Sequence, residues 1–199
     1  MIRILISGAS GFVGTAVASY FIKKKVHVTG LGTSKRHPSI PEGEYFNWVS
    51  CDTTLAGEWQ TQVSSADVII NVTGRNIFRV WTKKYKQAIY DSRILTTQNI
   101  VQAIGENSGQ TLLSTSAVGI YGDGKEQILT EAHPPGSGFL CKVCTDWEQE
   151  ALTAAKNGVR VSVMRFGVVL GRGGALSKML PAFKLFAGGP LGSGSQWFP

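Results

Sequence analysis

The segment Gly8-Ala9-Ser10-Gly11-Phe12-Val13-Gly14 carries three glycines spaced G-x-x-G-x-x-G. It follows the apolar run Ile2-Arg3-Ile4-Leu5-Ile6 and precedes residues 12–24, where Val13, Ala16, Val17, Tyr20 and Phe21 recur at helical spacing. A strand, a glycine turn and a helix in that order can hold a diphosphate. Glycine lets backbone N–H groups approach the anion, the third glycine lets helix and strand pack closely, and the helix N-terminus attracts negative charge. The trio alone is weak evidence; its place between a strand and a helix makes it specific for dinucleotide binding.

A second apolar run, 26–31, leads into Gly32-Thr33-Ser34-Lys35-Arg36 with no carboxylate. An acidic residue there would bind the ribose hydroxyls of NAD and repel the extra phosphate of NADP, which hydroxyls and cations favour. Thr33, Ser34, Lys35 and Arg36 are candidate 2′-phosphate contacts, and NADP(H) is the expected cofactor; the plain alternative is a solvated basic loop. Cys141-Lys142-Val143-Cys144 matches C-x-x-C. A redox pair wants its first thiol at a helix N-terminus, and structural zinc wants a second ligand pair. Neither context is visible, so the cysteines are read as two thiols on a helix face and no metal site is expected.

These residues need elements to position them. Strands are predicted at 45–49, 66–72, 111–115 and 159–165, besides the two above, with helices at 83–105, 140–156 and 176–187. The alternation predicts an α/β fold, a Rossmann-type doubly wound parallel sheet whose ligand crevice lies outside the carboxyl ends of the strands. The division expected is a dinucleotide-binding domain over 1–171 and the start of a substrate-binding region over 172–199. At 199 residues, 43% hydrophobic and 17% charged, the chain has the composition of one globular core. No run of about 18 apolar residues predicts a membrane span. The first strand starts too early to leave room for a secretory signal, and three cysteines without framework spacing fit a reducing compartment; a cytoplasmic location is expected. The net charge of +7 is scattered, with no aromatic-rich module beside it, so no nucleic-acid partner is expected.

With the glycine turn, Asn71-Val72-Thr73-Gly74 and Ser114-Thr115-Ser116-Ala117-Val118-Gly119-Ile120-Tyr121-Gly122 in view, the chain resembles the extended short-chain dehydrogenase/reductase superfamily. More narrowly it is similar to the atypical "epimerase family protein" branch. That likeness is carried by Gly74-Arg75-Asn76-Ile77, Trp81, Asp91-Ser92-Arg93, Thr96-Thr97, Cys144-Thr145-Asp146-Trp147-Glu148, Arg165-Phe166-Gly167-Val168-Val169-Leu170-Gly171 and Gly188-Gly189-Pro190-Leu191-Gly192-Ser193-Gly194-Ser195-Gln196-Trp197. The resemblance implies that Gly8, Ser10, Gly11, Phe12 and Val13 line the pyrophosphate turn, with Gly32 and Thr33 at the adenosine ribose and Cys51 and Asp52 near the adenine. It further implies Val72, Thr73 and Gly74 beneath the cofactor, Ala88 and Arg93 from the next helix, and Val169 near the nicotinamide.

In that superfamily a serine orients the substrate oxygen, and a tyrosine four residues before a lysine moves the proton. Ser116 fits the serine. The expected Tyr-x-x-x-Lys is not found: with Glu148 anchoring the alignment, Leu140 and Cys144 stand at its positions, and no tyrosine follows Tyr121. Tyr121 and Lys142 are the candidate substitutes, against the plain alternatives of a tyrosine packed in its loop and a lysine on an exposed helix face. Extended members continue for roughly another hundred residues as a small substrate domain, so the apolar side of 176–187 is expected to be uncovered, the glycine tail 188–195 to be free or exchanged with a neighbour, and homo-oligomers to form. Two readings stay open: an NADP(H)-dependent oxidoreductase or nucleotide-sugar epimerase-like enzyme acting on an unidentified small molecule, and a non-catalytic NADP(H)-binding regulatory or scaffold protein.

Overall fold

In the computed structural model, which describes residues 2–106, 108–171, 173–189, 193–194 and 197, the apolar runs form six strands. They are β1 (Arg3–Ser7), β2 (His27–Gly32), β3 (Phe46–Ser50), β4 (Val68–Asn71), β5 (Thr111–Ala117) and β6 (Arg160–Phe166). All pair in parallel in the order β3-β2-β1-β4-β5-β6. The chain leaves the β3 edge and re-enters at β4, beside β1, so the switch point lies between the carboxyl ends of β1 and β4. The motif residues Pro190, Leu191, Gly192, Ser195 and Gln196, and with them much of the 188–195 tail, lie outside the described residues.

Helices cover both faces. On one, α1 (Phe12–Lys23) buries Ala18 against Ile4, Ile6, Val28, Phe46, Trp48 and Ile70. On the other, α2 (Gln60–Ser65), α3 (Lys83–Ala103) and α4 (Phe139–Leu152) bury Val63, Ile100 and Ala151 with Leu5, Leu31, Ile69 and Leu112. The strongly apolar β1 and β4 are the strands covered on both sides, as burial of a parallel sheet requires.

Three elements differ from the sequence expectation. The short helix α2 was not foreseen, because six residues with one buried apolar side chain show no periodicity. The predicted helix over 140–156 ends at Leu152 and tightens into a 3₁₀ turn, Thr153–Asn157, closed by Gly158 at φ 72°. The last helix, α5 (Gly174–Lys184), starts and stops earlier than 176–187. Its neighbourhood is open: Phe183 is 55% exposed, Leu185 77% and Phe186 99%. No helix among the described residues is long and apolar enough to cross a membrane.

Candidate functional site

The glycine turn forms as its spacing requires. Gly8 holds φ at +75°, and a Cβ on it would lie 2.9 Å from the Thr73 backbone. Gly8 and Ala9 both donate backbone N–H groups to Leu31 O, tying the turn to β2. The first hydrogen bond inside α1 runs from Thr15 N to Gly11 O; the N–H groups of Phe12, Val13 and Gly14 precede it and have no acceptor within the helix. With no acidic side chain in that first turn, the helix end is an uncompensated positive pole. Gly14 lies against the turn, where a Cβ would come 2.2 Å from Gly8 O.

From this turn a groove of about 520 Å³ runs over the strand ends. It is lined by Gly8, Ser10, Gly11, Gly32, Thr33, Cys51, Asp52, Val72, Thr73, Gly74 and Ala88, which the resemblance had put together. Asp52 caps its own turn, accepting from Thr54 N and Oγ1 at 3.0 and 2.7 Å. Burial pushes the Cys51 thiol up to about 11, so it enters the groove uncharged. The Phe12 ring packs against Gly171, Gly173 and Gly174, within 2.6–3.1 Å of where Cβ atoms on them would stand, while its N–H belongs to the opening of α1.

At the adenosine end, Lys35 and Arg36 are exposed beside the groove rather than in its wall. Ser34 is held by Trp48, whose Nε1 donates to Ser34 O at 2.9 Å, while Ser34 Oγ is buried with no hydrogen-bond partner among the described residues. His37, which no local sequence pattern marks, is buried and fastens this loop to the turn. Its Nε2 donates to Ala9 O at 3.0 Å, while Nδ1 accepts from Ser39 N and Ile40 N at 3.1 and 2.9 Å. Phe46 and Trp48 meet its ring edge to face.

Beneath the other end runs a chain of oriented side-chain hydrogen bonds. Thr73 Oγ1 donates to Ser7 Oγ (2.9 Å), Ser7 Oγ to Asn71 Oδ1 (2.7 Å), Asn71 Nδ2 to Thr97 Oγ1 (2.9 Å), and Thr97 Oγ1 to Arg93 O (2.7 Å). Trp147 Nε1 completes Thr97 at 2.9 Å. The chain links β1, β4, α3 and α4, and so fixes Arg93. That guanidinium stacks on Trp147 at 5.3 Å, donates to Ile89 O and Arg75 O, and forms no ion pair among the described residues. Burial lowers its pKa from the usual value.

A second cavity, about 350 Å³, opens beyond Gly74, with Val13, Thr73, Arg93, Ser116, Leu140 and Cys144 in its wall. Ser116 is 3% exposed, and its Oγ completes no hydrogen bond of good geometry among the described residues. It sits beside the Cys144 thiol and the Glu148 carboxylate and favours the charged form of each. Burial dominates at Cys144 and raises its pKa, keeping the thiol protonated. Val169, 42% exposed, follows β6 outside this wall.

Neither Tyr121 nor Lys142 lines the cavity. Lys142 is exposed on α4 and bonds Asp146 Oδ2 at 2.7 Å. Asp146 also accepts from Tyr90 Oη at 2.8 Å. Tyr121 ends a 3₁₀ turn, Val118–Tyr121, and its hydroxyl accepts from Arg165 Nη1 at 2.6 Å, with the guanidinium 5.1 Å from its ring centroid. Arg165 is itself clamped to Glu148 by paired bonds of 2.8 and 2.7 Å. Burial alone would raise the Glu148 pKa; the Arg165 hydrogen bonds, the Ser116 hydroxyl and the guanidinium charge outweigh it and hold the carboxyl below its usual value. Arg93, Ser116, Thr73 and Gly74 are therefore brought together, while Tyr121 and Lys142 are drawn away by ionic partners. Cys141 and Cys144 are buried free thiols.

The groove fits a dinucleotide on two observations: the N–H groups opening α1, which have no acceptor within the helix, and the close passage of backbone at Gly8. Comparison with known proteins agrees. The chain is similar to "Epimerase family protein SDR39U1 homolog, chloroplastic" of Arabidopsis thaliana, 36% identical over 97% of this chain and 56% of that one. It is also similar to "Epimerase family protein YfhF" of Bacillus subtilis, 34% identical over 98% of this chain and 64% of that one. The chain thus spans roughly half to two thirds of these relatives. Among solved structures, human epimerase family protein SDR39U1 (isoform 2) with NADPH superposes with a TM-score of 0.79 at 30% identity, over 100% of this chain and 65% of that one. A nucleoside-diphosphate sugar epimerase from Corynebacterium glutamicum gives 0.77 at 32%, over 99% of this chain and 40% of that one. Residues 4–196 match the family described as NAD dependent epimerase/dehydratase, and the chain belongs to that family.

Proposed function

We propose that this chain binds NADP(H) and serves as the cofactor-binding part of an oxidoreductase whose substrate enters the cavity at Ser116. The observation that carries the reading is the groove that runs from Thr33, beside the basic, carboxylate-free loop, past the helix pole at Gly11 to Thr73 and Gly74, which also line the cavity holding Ser116. The human relative crystallised with NADPH supports it.

The N–H groups of Phe12, Val13 and Gly14 would hold the pyrophosphate, and Thr33, Ser34, Lys35 and Arg36 would hold the 2′-phosphate. Bound there, the cofactor supplies hydride chemistry. Ser116 Oγ, which lies beside Cys144 and Glu148, would turn to donate to a substrate oxygen and fix its position. Arg93 places a positive charge, held by Trp147 and the Thr97 chain, where negative charge develops. Cys144, kept protonated by burial, does not act as a base near neutral pH.

Calorimetric titration with NADPH and NADH tests the cofactor. NADPH should bind at least tenfold more tightly, and Lys35→Glu with Arg36→Glu should erase the preference; equal affinities for both cofactors in the unaltered chain would overturn the NADP(H) assignment. The departures at Leu140 and Cys144 favour a second reading, a non-catalytic NADP(H)-binding protein. A biological activity that survives Ser116→Ala but is lost with Gly11→Asp would establish it.

A further inference from the structure

The cavity around Ser116 is walled by Val13, Ile77, Leu140, Val143, Trp147 and Phe166. Its hydroxyls are mostly spent: Thr73 Oγ1 donates to Ser7 and Thr115 Oγ1 to Asn71 O at 3.0 Å. Among the described residues, two side-chain groups in this wall are placed to meet a substrate: the Ser116 hydroxyl, which lies beside Cys144 and Glu148, and the Arg93 guanidinium, which keeps donor capacity beyond its bonds to Ile89 O and Arg75 O. A polyhydroxylated substrate would leave its hydroxyls facing hydrocarbon here, at a cost of about 1–3 kcal/mol for each unpaired group. The cavity's volume of about 350 Å³ suits a compact ring system.

The wall's chemistry restricts the acceptor further. A saturated ketone leaves a strongly basic alkoxide, which wants a proton donor as it forms. The residues that such donors would occupy are Leu140 and Cys144, and Tyr121 and Lys142 are bonded elsewhere. A conjugated carbonyl leaves instead a phenolate-like oxyanion, whose conjugate acid has a pKa near the tyrosine value of about 10. Such a product needs positive charge and one hydrogen bond, and it can wait for a proton from water.

We infer that the substrate of this site is a planar, apolar, conjugated dicarbonyl compound of the quinone class, held by the apolar wall with one oxygen on Ser116 and its developing charge beside Arg93. The inference rests on the NADP(H) reading above. The quinone takes a hydride, two electrons and one proton, from reduced nicotinamide, which is thereby oxidised. The hydroquinone monoanion then takes its second proton from solvent.

Duroquinone is the probe, because its fully substituted ring cannot add to Cys144. It is titrated calorimetrically against the purified chain saturated with NADP⁺, so that binding is read without turnover, with UDP-glucose titrated in parallel. NADP⁺ affinity is measured in the same samples. Duroquinone should bind and UDP-glucose should not. Leu140→Asp, which puts a charge in the cavity wall away from the cofactor groove, should weaken duroquinone at least tenfold and leave NADP⁺ within about twofold. Intact NADP⁺ binding with no duroquinone binding, with preferential UDP-glucose binding, or with indifference to Leu140→Asp would overturn the substrate class and leave the cofactor reading standing. Loss of NADP⁺ binding in the unaltered chain would overturn both.

Discussion

The tightest packing in the site is Gly14 against the phosphate turn, and Gly14→Ala measures whether that contact sets the turn's position. The new Cβ would lie 2.2 Å from Gly8 O, 2.7 Å from Ala9 Cα and 2.9 Å from Gly8 C, all backbone atoms with no rotamer to escape into. Comfortable carbon contacts lie at about 3.5–4.0 Å, so turn and helix must part by on the order of 1 Å. Overpacking of this kind costs about 1–3 kcal/mol, offset by about 0.5–1 kcal/mol from alanine's better helix propensity. A net loss of about 1–2 kcal/mol lowers Tm by about 2–8 °C for a chain of this size. Cofactor affinity should suffer more than stability. A 1 Å shift takes the Phe12 and Val13 N–H groups out of hydrogen-bond range of a diphosphate, and one such charged bond is worth about 1.5–3 kcal/mol. NADPH should therefore bind at least tenfold more weakly by calorimetry. Gly43→Ala is the control, since no atom lies within 4 Å of its Cβ position; its Tm should stay within the scatter of surface substitutions. If Gly14→Ala kept both Tm and affinity, the turn would not be pinned by helix packing and the argument would fail.

Three further outcomes follow from the hydrogen bonds. Asn71→Leu keeps the branched shape, with somewhat larger methyl groups, but strands Ser7 Oγ and leaves Thr97 short of a donor in a fully buried site; denaturant unfolding should show a loss of about 2–4 kcal/mol. Glu148→Gln should remove about 2–3 kcal/mol at pH 7, because Arg165 keeps its charge and loses its carboxylate. Since the folded-state pKa of Glu148 is depressed, its contribution is present above the unfolded value of about 4.3 and disappears as pH falls through the folded value. Tm plotted against pH should accordingly fall less steeply below about pH 4 in Glu148→Gln, with the residual slope owed to Asp67 and Asp146, which are also depressed; an unaltered slope would refute the assignment. His37→Ala should weaken NADPH at least threefold without touching it, by freeing Ala9 O from one of its two donors; unchanged calorimetric affinity would show that the loop does not steady the turn.

The sheet and the phosphate turn were legible because their signals are local: an apolar run, three glycines and a helical period lie within two dozen residues of one another. The helix α2 was not, since its single buried side chain, Val63, is held by tertiary packing and leaves no pattern. His37 was overlooked for a related reason. Its role depends on Ala9, twenty-eight positions away, and on rings from β3 that meet its own.

Tyr121 and Lys142 illustrate a different limit, because spacing tells which residues are near a cleft and not which way their charges are drawn. Arg165 lies on β6 opposite Ser116 in the strand register, and Glu148 lies one helical turn beyond Cys144. Once these two pair, the guanidinium reaches Tyr121 as well and holds its hydroxyl on the side away from the cavity. Lys142 finds Asp146 four residues on, along the same exposed helix face. A lysine at position 144 would meet the opposite problem. It would bury an ammonium group close to Arg93, which forms no ion pair among the described residues, and like charges out of water repel strongly. A protonated thiol at that position is compatible with Arg93 where a lysine is not. On the proposed oxidoreductase reading, a thiol at 144 and a fixed cation at Arg93 would form one arrangement, in which stabilisation of an oxyanion by charge would take the place of immediate protonation.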